Sequence, residues 1–111
     1  MSKNLLKAFS SADFEIMGMK SVDLVELSFK ENKVSGMKFV RAVFADGTFM
    51  VKKMAEGETL MCFRHLDSIV KRNEMIEQLY ETYTQMDIAA ILDISQATVS
   101  AVIHNSKRKD N

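Results

Sequence analysis

The spacing of apolar residues changes once along this chain of 111 residues, near residue 58, and that change restricts the fold most strongly. Before residue 58, apolar and polar residues mostly alternate, as they do in strands that bury one face. After it, apolar residues recur every three or four positions, as they do on one side of a helix. The pattern predicts an α+β chain with a β-rich region, 1–58, and a helical region, 59–111.

Composition indicates a globular protein of the cytoplasm. Apolar residues make up 47% of the chain, which is enough for a core, although a second copy would add useful buried surface. Cys62 is the one cysteine, so no intramolecular disulfide can form and a reducing compartment fits best. No apolar run reaches the roughly 18 residues of a membrane span, and the N-terminus lacks the apolar region of a signal peptide.

The dipeptide Asp46-Gly47 lies between two alternating segments and predicts a β-hairpin with a two-residue type I′ turn. In that register Phe44 faces Phe49, and one face of the hairpin is mostly apolar. That face also pairs Ala42 with Val51 and Val40 with Lys53, whereas the other face sets Arg41 opposite Lys52. We expect the apolar face to form core.

An earlier alternating segment, 22–29, predicts a third strand that reaches the hairpin through a turn at residues 31–33. A bulge is expected near Gly36. A helix over residues 3–17, ended by Gly18, should flank the strands. The N-terminal region is therefore predicted to be a small antiparallel β-meander with a flanking helix.

Helical spacing begins at residue 59, with a stripe formed by Leu60, Phe63, Leu66 and Val70. Asn73 is a good N-cap for a helix over 74–82, whose apolar face would carry Ile76, Leu79, Tyr80 and Tyr83. Whether residues 60–82 form one helix or two stays open.

Residues 84–105 have the pattern of two short helices that cross over a tight turn. Thr84 and Asp87 form a capping signature for the first helix, and Ser95 is an N-cap for the second, 96–105. Ala89 is the small residue where the helices touch, and Asp93 is tolerated in the left-handed conformation that begins the turn. Apolar positions between the helices are Ile88, Leu92, Ile94, Val99, Val102 and Ile103.

Residues 85–104 resemble, without a gap, the helix-turn-helix of phage repressors, Cro proteins and related plasmid regulators. Asp93 stands where that pattern usually has glycine. With the preceding helix, the resemblance to the tri-helical module of bacterial regulators covers residues 73–105, about a third of the chain. It implies a sequence-specific, double-stranded DNA-binding transcriptional regulator whose second helix enters the major groove.

The resemblance assigns roles by position. The positions that face base edges are Ser95, Gln96, Ala97, Ser100 and Ala101. The positions that contact phosphate are Thr84, Gln85, Thr98, His104 and Asn105. Beyond the resemblance, Lys107, Arg108 and Lys109 form a basic tail able to add phosphate contacts. A candidate second basic patch, for which a solvated strand face is the alternative, consists of Arg41, Lys52 and Lys53.

The helix 96–105 carries no Lys or Arg, and the net charge of the chain is zero, which argues against a non-specific nucleic-acid binder. Affinity for one half-site should be modest, so we expect a homodimer on a palindromic operator. The region 1–58 would dimerise the protein or receive a protein partner. The size suits an (auto)repressor of a phage, plasmid or other mobile element, associated with the nucleoid when bound to DNA.

Several alternatives stay open. Residues 84–105 could form an ordinary helical hairpin, or contact RNA or protein. The chain could instead be a protein-binding inhibitor or adaptor that acts through its β region, or a repressor that responds to a ligand. An enzyme is not expected, because the sequence has no Gly-rich phosphate loop and no nucleophile with a recognisable base. Cys62 and His65 lack two further zinc ligands, so we expect a structural cysteine and no metal or cofactor.

Overall fold

A computed structural model describes residues 8–54 and 59–109 of the chain, the last four of these by their backbone alone. The chain divides into two compact units, residues 1–65 and 66–111. The described part of the first contains a four-stranded antiparallel sheet and a helix, and that of the second contains three helices. The α+β class is confirmed, but the division falls later than the predicted 58/59 because residues 59–63 form a strand.

The elements follow one another in the order helix, four strands and three helices. Helix α1 is Ser11–Met17, and a single 3-10 turn, Ser21–Asp23, leads into the sheet. The strands are β1, Leu24–Glu31; β2, Lys38–Phe44; β3, Phe49–Lys53; and β4, Thr59–Phe63. The later helices are α2, Ile69–Leu79; α3, Gln85–Leu92; and α4, Gln96–Lys109.

Helix α1 is shorter than the predicted 3–17. Ser10 caps it by accepting a hydrogen bond from the N–H of Asp13, whose carboxylate accepts one from the N–H of Ser10. This reciprocal arrangement satisfies two backbone donors at the start of the helix. Gly18 ends the helix at φ 69°, as predicted. The part of the predicted helix over residues 3–7 lies outside the described residues.

The first strand, β1, pairs with β2, as the predicted meander requires. The bulge is between Leu24 and Glu26, where the register shifts, so the prediction of a bulge near Gly36 was wrong. Gly36, at φ 79°, instead closes the turn between the strands, and its N–H donates to the carbonyl of Asn32 at 2.7 Å. The side chain of Asn32 accepts from two further N–H groups of the same turn.

The hairpin between β2 and β3 turns at Asp46-Gly47, but not through a type I′ turn. That turn needs positive φ at both residues, and only Gly47 has it, at 88°. The N–H of Gly47 donates to the carbonyl of Phe44, and the N–H of Phe44 donates to the carbonyl of Thr48, both at 2.9 Å. The loop therefore has three residues, a type I turn followed by a glycine in the left-handed conformation.

The longer loop moves β3 by one residue against the predicted register. Val43 now pairs with Phe49, Arg41 with Val51 and Val40 with Lys52, in place of the predicted pairs. A shift of one residue exchanges the faces of a strand. Every side chain of β3 consequently lies on the face opposite to the predicted one.

The sheet buries side chains on both faces. On the first, here called the Phe44 face, Phe9 and Phe14 cover a cluster formed by Val40, Ala42, Phe44 and Met50. The second, here called the Arg41 face, carries Phe39, Arg41, Phe49 and Val51, all at most 6% exposed. Burial on both faces explains why β2 is buried from Phe39 to Ala42 without alternation.

Strand β4 replaces the start of the predicted helical stripe. Thr59–Phe63 pairs antiparallel with β3, and the ring of Phe63 stacks on Phe49 with centroids 4.7 Å apart. Leu60, Phe63 and Leu66 fit helical spacing by coincidence, and Val70, predicted on the same stripe, is 65% exposed. Residues 60–82 are therefore neither one helix nor two, but a strand followed by α2.

Helix α2 begins at Ile69, where Ser68 caps it by accepting from the N–H of Lys71 at 3.1 Å. The prediction that Asn73 caps a helix over 74–82 was wrong, because its side-chain oxygen accepts from the Arg72 guanidinium inside α2. Of the predicted apolar face, Ile76 is fully buried, whereas Tyr80 is 38% exposed.

Candidate nucleic-acid interface

Local hydrogen bonds fix both ends of α3. The N–H of Asp87 donates to the hydroxyl of Thr84 at 3.2 Å, which is the predicted N-cap. Asp93 ends the helix at φ 56° and ψ 51°, and it is the one non-glycine residue with positive φ in the described chain. The N–H groups of Asp93 and Ile94 both donate to the carbonyl of Ala89. The predicted left-handed turn residue is confirmed.

Helix α4 begins after Ser95, whose hydroxyl accepts from the N–H of Thr98 at 3.1 Å and is 2.8 Å from the Thr98 hydroxyl. Ser95 is thus the predicted N-cap. Between Gln85–Leu92 and Gln96–Asn105 the chain direction changes by 119°. Helix-turn-helix motifs cross at about 90–120° over a turn of three or four residues.

One side of this helix pair is buried. The side chains of Ile88, Ile91 and Val99 are fully buried, and those of Leu92 and Ile103 nearly so. Ile94 and Val102 are half-buried. Helix α4 packs against both α2 and α3, so its inner side is fixed by two neighbours. Ile91 was absent from the predicted set, although its spacing from Ile88 indicates the same side of α3.

The other side of α4 is exposed. All of the predicted base-facing residues lie on it: Ser95, Gln96, Ala97, Ser100 and Ala101. His104 and Asn105 continue it one turn further and are exposed as well, whereas Thr98 is half-buried. Residues three and four apart on a helix are surface neighbours. The packing of α4 therefore brings the predicted base-facing residues together on one continuous surface, here called the α4 surface.

The α4 surface offers amide and hydroxyl groups without acidic side chains. From residue 94 to residue 106 the chain has no Asp, Glu, Lys or Arg, so nothing there repels a phosphate. Within the described chain, the side chains of Gln96 and Ser100 make no hydrogen bond to another residue, which leaves their donors and acceptors available. The Ser95 hydroxyl is already used in the cap.

The residues predicted to contact phosphate differ in exposure and in how far the structure describes them. Thr84 is exposed but its hydroxyl serves as a cap, and Gln85 in the next position is half-buried. Both lie at the N-terminus of α3, where backbone N–H groups can donate to an anion. Lys107 and Arg108 lie within α4 by their backbone, and their side chains are outside the described residues.

The candidate second basic patch does not form. Arg41 and Lys52 lie on opposite faces of the sheet, and both side chains are largely buried. Arg41 is 3.9 Å from the Glu26 carboxylate, and its guanidinium carbon is 5.1 Å from the centre of the Phe49 ring. Lys52 contacts Asp13. The prediction that Arg41, Lys52 and Lys53 share a solvated or DNA-contacting face was therefore wrong.

Cys62 lies exposed on β4, which does not fit the expected structural cysteine. Partial burial of the thiol, and then the negative charge of Asp13, nevertheless raises its pKa. In the described part of the chain, no group of three or more His, Cys, Asp or Glu residues is arranged to hold a metal ion.

No protein-family model matches the chain, and no curated protein or solved structure matches it either. Among the described helices, none is by itself long and apolar enough to cross a membrane. The bent pair α3 and α4 meets that test together, by length and composition only.

Proposed function

We propose that the chain is a sequence-specific regulator of transcription that binds double-stranded DNA through the α4 surface. The observation that carries the proposal is the exposure of Gln96 and Ser100, with unused polar groups, on a helix bent by 119° from the one before it. Capping at Thr84 and Ser95 and the turn at Asp93 hold that bend.

The chemistry of the α4 surface suits the edges of A·T pairs. The major groove is about 12 Å wide and admits an α-helix. The amide of Gln96 has the donor and the acceptor that match N7 and N6–H of adenine, and the methyl groups of Ala97 and Ala101 suit the thymine methyl. Because the α4 surface has no arginine for guanine, we expect an operator that is A·T-rich at the contacted positions.

A dimer would compensate for the weak binding of one such helix. Two copies related by a two-fold axis would place their α4 helices on half-sites about 34–36 Å apart, and the operator would be palindromic. A repressor of this size from a phage, plasmid or other mobile element, acting in the cytoplasm and often on its own promoter, is the role that this arrangement suits best.

Selection of bound fragments from a random duplex library, at near-physiological salt, tests the proposal. Wild type is compared with Gln96→Ala/Ser100→Ala and with Gln78→Ala, a matched change at an exposed position of α2. We expect wild type and Gln78→Ala to enrich the same palindrome and the double variant to lose it. All three proteins should show the same helix content by circular dichroism.

Equal recovery by all three proteins, or no enrichment by any, would contradict the proposal. It would favour the second candidate, a protein-binding inhibitor or adaptor, for which the exposed apolar side chains of β1 are the supporting observation. Val25 is 60% exposed and Phe29 is 47% exposed on that strand.

A further inference from the structure

Strand β1 is one edge of the described sheet and, at eight residues, its longest strand. A long edge with exposed apolar side chains is a template for pairing with another strand. Val25 and Phe29 supply that apolar character. Regular pairing with β2 runs from Glu26 to Glu31, because the bulge interrupts it before Glu26.

The hydrogen bonds to β2 determine which backbone groups of β1 face outward. The N–H of Asn32 donates to the carbonyl of Met37 at 2.8 Å, and such pairs alternate along an antiparallel ladder. By this alternation Glu26, Ser28 and Lys30 direct their backbone groups toward β2. Leu27 and Phe29 direct theirs toward the open edge.

We propose that β1 pairs antiparallel with β1 of a second copy of this chain, about a two-fold axis through Ser28. This inference rests on the proposed function, in which the protein is a dimer, and it names the strand that forms the dimer. In this register Leu27 of one copy and Phe29 of the other exchange both of their N–H···O=C bonds, because their backbone groups face outward. Both side chains lie on the Phe44 face, where they extend the apolar cluster across the axis.

Charge selects this register over its neighbours. Axes through Leu27, Ser28 or Phe29 all pair outward-facing residues with each other. Only the axis through Ser28 sets Glu26 of each copy opposite Lys30 of the other, in pairs without direct backbone bonds, where side chains are closest. The axis through Leu27 sets Glu26 opposite Ser28, and the axis through Phe29 sets Lys30 opposite Ser28.

Ser28 itself supplies an independent observation. Its hydroxyl oxygen is buried and has no hydrogen-bond partner in the described chain. A buried hydroxyl without a partner is uncommon in folded proteins. On the axis the two Ser28 side chains face each other with Cβ atoms about 4.5–5.5 Å apart, so a change of rotamer that turns the hydroxyls toward the open edge lets one donate to the other.

Charge reversal tests the register by sedimentation velocity. Lys30→Glu sets like charges opposite each other twice, so we expect dimerisation about tenfold weaker than in wild type. Lys33→Glu makes the same change at an exposed residue of the turn after β1 and should leave the dimer unchanged. A monomeric wild type, or equal dimerisation of the two variants, would overturn the inference.

Cross-linking tests the axis. In a Cys62→Ser background, Ser28→Cys places two thiols opposite each other with Cα atoms about 4.5 Å apart, within the range of a disulfide. We expect fast formation of a covalent dimer under mild oxidation. Val34→Cys in the same background is more accessible, since Val34 is 80% exposed, but lies away from the axis and should cross-link slowly. Faster cross-linking of Val34→Cys than of Ser28→Cys would contradict the proposed axis.

Neither measurement involves DNA, so the two proposals fail separately. A monomer that still selects a DNA site overturns the β1 dimer alone. A β1 dimer that selects no site overturns the DNA-binding proposal alone. If Ser28→Cys does not fold, the comparison of Lys30→Glu with Lys33→Glu decides the matter.

Discussion

The ammonium group of Lys52 lies 2.7 Å from the carboxylate of Asp13, with both side chains only 11–12% exposed. Lys52 reaches this position because the three-residue loop places it on the Phe44 face, opposite Val40. Asp13 in turn closes the cap of α1. This ion pair therefore joins α1 to the sheet, beside the apolar cluster of the Phe44 face.

Replacing Lys52 should destabilise the fold, because the carboxylate of Asp13 is then buried without its cation. We expect Lys52→Met to lower the free energy of unfolding by about 3 kcal/mol, because breaking a buried pair leaves one charge uncompensated. Urea denaturation measures this loss. Asp13→Asn/Lys52→Met should recover most of it, since the asparagine side chain is uncharged and keeps an oxygen for the cap. Independent, additive effects in this double-mutant cycle would contradict the pairing.

The same pair predicts a loss of stability in acid. Burial raises the pKa of Asp13, but the hydrogen bond from Lys52, the N–H of Ser10 and the charge of Lys52 outweigh it, so the pKa lies below the ordinary 3.8. A lowered folded-state pKa stabilises the fold above the unfolded value and ceases to do so as pH falls through the folded one. The stability difference between wild type and Asp13→Asn should be constant near neutral pH and shrink below pH 3.8. A difference that grows in acid would contradict this assignment.

Gly47 should tolerate no side chain. Its φ of 88° strains any L-residue by about 1–2 kcal/mol, and a Cβ there would meet the ring of His65, with Cδ2 at 2.6 Å. We expect Gly47→Ala to lower the free energy of unfolding by at least that amount in chemical denaturation. His65→Ala should remove the steric part, so the double variant should lose less than the sum of the single losses.

Asp93 should accept glycine but not a β-branched residue. At φ 56°, Asp93→Gly relieves strain in the folded state but also makes the unfolded chain more flexible, and these effects oppose each other. We therefore expect the free energy of unfolding to change by no more than about 1 kcal/mol. Asp93→Val should cost roughly 2 kcal/mol, because branching at Cβ is unfavourable there. Thermal unfolding compares the two variants. Equal stability would show that the turn does not require the left-handed conformation.

Salt dependence should separate phosphate contacts from base contacts. If Lys107 contacts a phosphate, Lys107→Ala should weaken binding to all sequences and reduce the slope of log K against log salt by about 1. Gln96→Ala should relax sequence preference and leave the slope unchanged. Titrations with the selected operator and a scrambled duplex at several salt concentrations measure both. A changed slope for Gln96→Ala would assign that residue to phosphate.

The correct predictions at the pair α3 and α4 rest on neighbours in sequence, whereas the main contact that was missed joins distant residues. The caps at Thr84 and Ser95 and the left-handed Asp93 follow from side chains within three residues or from one residue's own conformational preference. The pairing of Lys52 with Asp13 joins residues 39 positions apart, and nothing local indicates it. The exposure of the α4 surface was predictable because apolar residues recur at helical spacing on the opposite, buried side of α4.

The hairpin shows where a strong local signal is insufficient. Asp46-Gly47 located the turn, but both two-residue and three-residue loops accept that dipeptide, and they differ in whether Asp46 has positive φ and whether Ala45 joins the loop. The carboxylate of Asp46 accepts from the N–H and the hydroxyl of Thr48, and these bonds lower its pKa. These hydrogen bonds between Asp46 and Thr48 occur within the three-residue loop. The helical interpretation of residues 60–66 failed because so short a segment cannot distinguish the two periods.

The two edges of the sheet differ in length, eight residues for β1 and five for β4. Joining two copies through β1 uses up the long edge and leaves a short β4 edge at each end of the combined sheet. Short edge strands are poor templates for further strand addition. In the proposed dimer the sheet therefore grows once and then stops, which gives a finite particle instead of a fibre, although every copy begins with an open edge.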